Sequence, residues 1–182
     1  MELINFSELR NYSMKLGLAV SMTWIASFLV VVLTFPSAIS QLGYLAGLLS
    51  ICVVGRELRR CRNAKPMSFV ACLWVSWLTF LCVVLLTTAV QWLYFACFDN
   101  GSFFGSLLTY LNSDEVRQVY HDPQGVAFLE QLQGLMVDIQ SLSVKDLVMS
   151  FMSVNLILGL IFSLFSLLFL IGTTNTQRVE EN

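Results

Sequence analysis

Five basic side chains lie within ten residues of this chain, and their type and spacing suggest chemistry more clearly than any other group. They are Arg56, Arg59, Arg60, Arg62 and Lys65. Arginine binds carboxylates and phosphates through parallel hydrogen bonds, so this cluster suits an anionic lipid headgroup, a lipid-linked phosphate or an acidic protein partner. Nothing in the spacing resembles a glycine loop that cradles phosphate. A second interpretation is that the cluster only sets the orientation of the chain in a membrane.

The other reactive residue types form no catalytic or metal-binding pattern. His121 is the only histidine, and its neighbours Tyr120, Asp122 and Pro123 are typical of a surface turn without a nucleophile beside it. The five cysteines include no Cys-x-x-Cys pair, which favours buried thiols that fill space. We therefore predict a protein that is not an enzyme and has no catalytic, cofactor-binding or metal-binding residue.

Three stretches without a charged residue, at 16–55, 66–98 and 147–177, indicate helices that cross a membrane. The chain is 57% hydrophobic and 12% charged, whereas a soluble domain is about 25% charged. Pro36 divides the first stretch, which predicts two spans there; a single kinked span is the alternative. The expected fold is a single all-α domain over 1–182, without a β-sheet. Its four spans are predicted at about 16–35, 37–55, 66–95 and 147–172.

The basic residues lie mostly on one side of this arrangement. Eight of the ten Lys and Arg residues fall on the side of both termini and the segment 56–65, and the other two are Arg117 and Lys145. Positive charge is retained on the cytoplasmic side of membrane proteins. We therefore expect a bacterial inner-membrane protein with cytoplasmic termini, a cytoplasmic basic loop at 56–65 and an external loop at 96–146.

The predicted external loop carries apolar residues at helical spacing. One stripe is Val126, Leu129, Leu132, Met136 and Ile139, and the other is Phe103, Phe104, Leu107, Leu108 and Leu111. We expect two or three amphipathic helices, which lie on the bilayer surface or against the projecting end of span three. Ser143 and Asp146 predict a capped helix start just before the last span.

Small and amide side chains predict where the spans contact each other. Gly43 and Gly47 form a GxxxG pattern in span two, and Gly159 lies in span four. Such residues let helix backbones approach closely, either within the bundle or in a homo-oligomer. Asn155 is an amide at membrane depth and is expected to bond to a neighbouring helix. The spans contain no Asp, Glu, Lys, Arg or His, which disfavours ion-coupled transport.

Several short motifs together resemble one bacterial family. They begin at Tyr12 (Tyr-Ser-Met-Lys-Leu-Gly-Leu), Pro66 (Pro-Met-Ser-Phe) and Trp92 (Trp-Leu-Tyr-Phe), followed by Phe98 and Asp99. The chain resembles the short four-span inner-membrane proteins of domain of unknown function 4199 (DUF4199). The resemblance rests on these residues, on the basic end of span two and on the helical segment before span four. The resemblance covers most of the chain and implies no catalytic residue. It implies an accessory role beside a membrane-associated glycosyltransferase of the polyprenyl-phosphate type.

The leading functional hypothesis is a non-enzymatic accessory or scaffold protein that holds a membrane-associated or cytoplasmic partner. Its other contacts are membrane lipids, and no cofactor or nucleic acid is expected. The alternative is a small transporter or flippase-like protein for a lipid-linked or amphipathic solute. Candidates for its polar path are Ser76, Thr79, Gln91 and Asn155. A third possibility is an envelope-stress sensor that uses the external loop.

Overall fold

The computed structural model describes residues 6–64, 67–99 and 101–171, and over these residues the chain is helical and contains no β-strand. The all-α prediction is confirmed there. The helices are α1 (Phe6–Thr34), α2 (Ser40–Ala64), α3 (Phe69–Cys97), α4 (Ser102–Leu111), α5 (Asp114–Val119), α6 (Pro123–Ser141) and α7 (Val144–Ile171). The predicted contact residue Lys65, the predicted start of span three at Pro66 and the predicted end of span four at residue 172 lie outside the described residues.

The four long helices α1, α2, α3 and α7 form a bundle. Helix α1 packs against α2 and α3, and α7 packs against the same two helices from the opposite corner. Gly17 of α1 lies beside Cys82 of α3, and Phe28 lies beside Phe95, so α1 and α3 run parallel. The largest fully buried side chains at the centre of the bundle are those of Phe80, Leu58 and Leu170.

Three of these helices are long and apolar enough to cross a membrane: Phe6–Thr34, Phe69–Cys97 and Val144–Leu170. Their outward surfaces are rich in exposed Leu, Ile and Phe side chains, for example Leu18, Leu85 and Leu164. A soluble bundle would bury such residues, whereas lipid solvates them. The chain is therefore a helical membrane protein. The fourth predicted span, 37–55, is not among the three, because α2 has only the uncharged stretch 40–55 before Arg56.

Helix α2 differs from its prediction at both ends. Thr34 ends α1, and a turn that contains Pro36 leads to the start of α2 at Ser40, three residues later than expected. The first uncharged stretch therefore forms two helices and not one kinked helix. The segment 56–64 was expected to be a loop and is instead the last part of α2. Arg, Leu and Glu favour helix, and no glycine or proline interrupts the segment before Pro66.

Helices α4, α5 and α6 form a cap over the end of the bundle where α3 ends and α7 begins. Two or three helices were expected in this segment, and the structure has three. Phe104 of α4 stacks on Phe95 of α3 with ring centroids 5.9 Å apart. Gly101 turns the chain with a φ of 82°, a conformation that favours glycine. The buried carboxylate of Asp99 then accepts hydrogen bonds from the Ser102 hydroxyl (2.7 Å) and the Phe103 amide (2.9 Å).

The predicted cap of the last span is confirmed. The amide of Asp146 donates to the hydroxyl oxygen of Ser143 (3.2 Å), and that hydroxyl donates to the Asp146 carboxylate (2.6 Å). Helix α7 begins at Val144 as a result. The hydrogen bonds between Ser143 and Asp146 fix the point at which the chain leaves α6 and enters the bundle as α7.

Candidate functional site

Three arginines project from one side of the last turns of α2. Arg56, Arg59 and Arg60 are exposed and are spaced three and four residues apart, the spacing of neighbours on one helix face. Leu58 and Val54 are fully buried on the opposite side. We call the surface formed by Arg56, Arg59 and Arg60 the basic face. Because it lies on a helix, its charges have fixed spacing.

Two polar contacts hold this end of α2 in the bundle. The hydroxyl of Tyr12 in α1 donates to the Glu57 carboxylate at 3.3 Å. On the other side, Arg62 donates from Nη1 to the backbone carbonyl of Leu170 near the end of α7 at 3.4 Å. A cation at a helix C-terminus is favoured by the helix dipole. Arg62 is therefore turned toward α7, away from the basic face.

The basic face keeps most of its charge. Glu57 lies 3.8 Å from Arg60, but the Arg60 side chain is 81% exposed and the pair is weak in water. Arg10 and Lys15 of α1 are exposed near the same end of the bundle. In the described part of the chain, the opposite end of the bundle carries two basic residues, Arg117 in the cap and Lys145 in the first turn of α7. The arrangement can attract an acidic or phosphorylated surface at several points at once.

Each of the four interfaces between neighbouring bundle helices contains one glycine at a close approach. A Cβ on Gly43 would lie 2.8 Å from the Ser27 carbonyl oxygen of α1, and one on Gly159 would lie 3.2 Å from Val84 of α3. A Cβ on Gly17 would meet Cys82 of α3 at 2.7 Å, and one on Gly55 would meet Phe169 of α7 at 2.5 Å.

Gly47 differs from its GxxxG partner Gly43. Its nearest contact would be the Ser27 hydroxyl at 3.6 Å, which is ordinary van der Waals distance. Gly43 also accepts, through its carbonyl, a hydrogen bond from the Ser27 hydroxyl. Gly55 was missed in the sequence, because no small residue four positions away marks it.

The amide of Asn155 bonds to another helix. Its Nδ2 donates to the Gln91 side-chain oxygen at 3.1 Å and joins α7 to α3. Ser76 donates to the Ser163 carbonyl (3.1 Å) and lies 2.8 Å from the Ser166 hydroxyl. The transport alternative assigned Asn155, Gln91 and Ser76 to a polar path, and in the structure all three join α3 to α7.

Thr79, the fourth residue of that path, is also buried and bonded. Its hydroxyl donates to the Val75 carbonyl at 2.7 Å in its own helix and lies 3.4 Å from the Ser13 carbonyl of α1. A solute would have to displace these bonds. The transport alternative stays a prediction.

Over the residues that the structure describes, no group of three or more His, Cys, Asp or Glu side chains is close enough to hold a metal ion. His121 is exposed, and its Nδ1 lies 3.0 Å from the Gln118 carbonyl oxygen. An open groove of about 550 Å³ lies between α3 and α7. It is lined almost wholly by apolar groups, from Leu73, Trp74, Trp77, Leu160, Ser163 and Leu164.

The sequence matches the family described as "Protein of unknown function (DUF4199)" over residues 15–170. This range includes the basic face, the four close-approach glycines and the cap. Comparisons with curated proteins and with solved structures give no match. The resemblance noted in the sequence is confirmed, and the chain is a helical membrane protein that belongs to the DUF4199 family.

Proposed function

We propose that this chain is a four-span protein of the bacterial inner membrane that acts as a non-enzymatic accessory or scaffold protein. In this proposal, the bundle is the membrane anchor and the basic face holds a partner on the cytoplasmic side. The observation that carries it is the exposure of Arg56, Arg59 and Arg60 on one side of a helix whose end is held by Tyr12 and Leu170. Arginine is the residue that most often anchors contacts to carboxylates and phosphates.

The contacts of α2 support a fourth crossing. Along α1, the contacts with α2 run from Tyr12–Glu57 through Trp24–Ser50 to the bond between Ser27 and Gly43. The order of the partners in α2 is reversed, so α2 returns along most of the length of α1. If α1 crosses the bilayer, a helix packed antiparallel beside it crosses the same depth. The uncharged stretch 40–55 spans about 24 Å, and the charged ends can reach the interface over the rest.

The distribution of charge supports the orientation. Arg10, Lys15, the basic face and Arg62 all lie near one end of the bundle, and the cap at the other end is acidic. An excess of Lys and Arg is typical of the cytoplasmic side of a membrane protein, which supports placing this end in the cytoplasm. Both termini and the basic face then lie in the cytoplasm, and the cap lies outside.

The partner that fits the basic face has an acidic or phosphorylated surface near the membrane. The family resemblance implies that this partner is a membrane-associated glycosyltransferase of the polyprenyl-phosphate type. Such an enzyme acts at the same membrane surface. Exposed ion pairs contribute about 0.2–1 kcal/mol each, so three arginines supply roughly 0.6–3 kcal/mol, a threefold to hundredfold effect on Kd. Apolar contacts must supply the rest of the affinity.

The proposal predicts that Arg56→Gln, Arg59→Gln and Arg60→Gln together release a partner that co-purifies with the wild-type protein in mild detergent. The recovered partner should fall by about threefold to hundredfold, because the Gln side chains keep most of the length but remove the charge. Arg62 stays unchanged because it bonds to Leu170. The measurement is quantitative mass spectrometry of the purified complexes.

Two controls separate docking from membrane insertion. The corresponding triple Lys variant keeps the charge and should retain more partner than the Gln variant. A variant with Arg117→Gln and Lys145→Gln loses two charges at the cap and should retain all of it. Full recovery with the triple Gln variant, inserted at the wild-type level, would exclude the basic face as the docking site.

A further inference from the structure

Part of the apolar surface of helix α6 is not covered by the rest of the protein. Leu129 is buried, and Met136, seven residues later, packs against the cluster of Phe95 and Leu147. The residues just before these two, Phe128 and Leu135, are also large and apolar. They lie about 100° further round the helix and are 48% and 54% exposed. Two parallel apolar stripes therefore run along α6. One is packed on the bundle, and the other stays about half exposed, with the ring centroid of Phe128 6.0 Å from that of Tyr120.

The exposed stripe continues to the point where the chain enters the bundle. Leu142 lies seven residues after Leu135, directly after α6, and is 43% exposed. Ser143 then caps α7, one of the three helices that are long and apolar enough to cross a membrane. The C-terminal end of α6 is consequently fixed at the surface of the bilayer. An exposed apolar stripe on a helix in that position has lipid beside it.

The charges of the cap indicate which part of the lipid the stripe contacts. The described cap is acidic; Arg117 is its basic residue, and Lys145 follows in the first turn of α7. The acids on or beside α6 are Asp122, Glu130, Asp138 and Asp146. Anionic headgroups would repel this surface, so its contact with a membrane must come from apolar burial.

We infer that α6 is an interfacial helix and that Phe128, Leu135 and Leu142 insert into the acyl-chain boundary of the leaflet next to the cap. The occupant of this surface is the bilayer itself. Met136 and Ile139 hold α6 on the end of the bundle. The cap therefore covers the end of the bundle, and the edge of the cap that carries the exposed stripe of α6 lies in the membrane. This inference concerns the end opposite the basic face and does not depend on the accessory function.

The test is the rate at which thiols react with N-ethylmaleimide in the full-length protein, reconstituted in phosphatidylcholine vesicles. Only the thiolate reacts, so a thiol in the acyl-chain region reacts slowly. Leu135→Cys and Phe128→Cys report on the stripe, and Glu130→Cys reports on the opposite, solvent side of α6. In the four-span arrangement proposed above, native Cys52, exposed on the uncharged part of α2, is an internal reference for a lipid-facing thiol. Peptide mass spectrometry reads each position separately.

We expect the cysteines at 135 and 128 to react roughly tenfold more slowly than the one at 130, in the range of Cys52, at every protein-to-lipid ratio. Either stripe variant suffices if the other fails to fold. Equal rates at 135 and 130 would overturn the inference, because the stripe would then lie in water. Slow labelling that becomes fast on dilution with lipid would also overturn it. The seven-residue spacing would then serve contact with a second copy of the chain.

Discussion

Replacing Trp24 with alanine is expected to lower the free energy of unfolding by about 3–5 kcal/mol, the range for removing a large buried aromatic side chain. Trp24 contacts all three other helices of the bundle. Its indole nitrogen donates to the Ser50 hydroxyl of α2 at 3.0 Å, and its ring centroid lies 6.3 Å from that of Phe80 in α3 and 5.7 Å from that of Phe162 in α7. Lipid cannot enter this position, so the lost contacts are not replaced.

The matched control for Trp24 is Trp92→Ala. Trp92 lies on α3, and its side chain is 54% exposed, whereas Trp24 is 7% exposed. Removal of Trp92 should cost much less, since lipid replaces its contacts. Trp24→Phe should fall between the two, because a ring remains but the bond to Ser50 is lost. Reversible unfolding in mixed micelles measures all three. Equal losses for Trp24→Ala and Trp92→Ala would contradict the packing described here.

Alanine at Gly43 is expected to destabilise the protein, whereas alanine at Gly47 is expected to be neutral or stabilising. A Cβ at Gly43 would lie 2.7 Å from a Val31 methyl and 2.8 Å from the Ser27 carbonyl oxygen, so α1 and α2 must separate. Overpacking of this kind costs about 1–3 kcal/mol, and Gly43→Leu should cost enough to prevent stable folding. At Gly47 the added methyl meets only the Ser27 hydroxyl at 3.6 Å. Alanine is the better helix former there and should be neutral or stabilise by up to about 1 kcal/mol.

The same unfolding measurement compares the Gly43→Ala and Gly47→Ala variants of the otherwise wild-type protein. The two glycines are one helical turn apart and belong to one GxxxG pattern, so composition and membrane depth are nearly matched. Only the distance to α1 differs. If Gly47→Ala destabilised the protein as much as Gly43→Ala, the register of α1 against α2 would be wrong.

Features that depend on local sequence could be predicted. Pro36 marked the break between α1 and α2, and Ser143 with Asp146 marked the start of α7. The apolar periodicity of 96–146 gave its helices. Each of these features depends on the geometry of a few consecutive residues, so the local sequence is enough to predict it. The long uncharged stretches likewise indicated membrane helices from composition alone.

Features that depend on contacts between distant residues could not be predicted. The GxxxG pattern gave Gly43 and Gly47 equal weight, and only the register of α1 against α2 distinguishes them. Tyr12 and Glu57 are 45 residues apart, and nothing local to either indicates the bond that orients the end of α2. The loop predicted at 56–65 was wrong over 56–64, because charge was taken as a sign of a loop although Arg and Glu favour helix.

The proposed function requires that α2 crosses the bilayer, since this crossing puts the basic face on the same side as the N-terminus. A membrane-impermeant maleimide applied to intact and permeabilised cells tests it directly. The reporters are Asn63→Cys at the end of α2 and Thr109→Cys in the cap, with fragment ions assigning each adduct, and an N-terminal epitope tag whose accessibility is read with an antibody. Four crossings predict labelling at 109 in intact cells, and access to 63 and the tag only after permeabilisation. Finding the tag and position 63 on opposite sides of the membrane would show that α2 does not cross it and would contradict the proposed function.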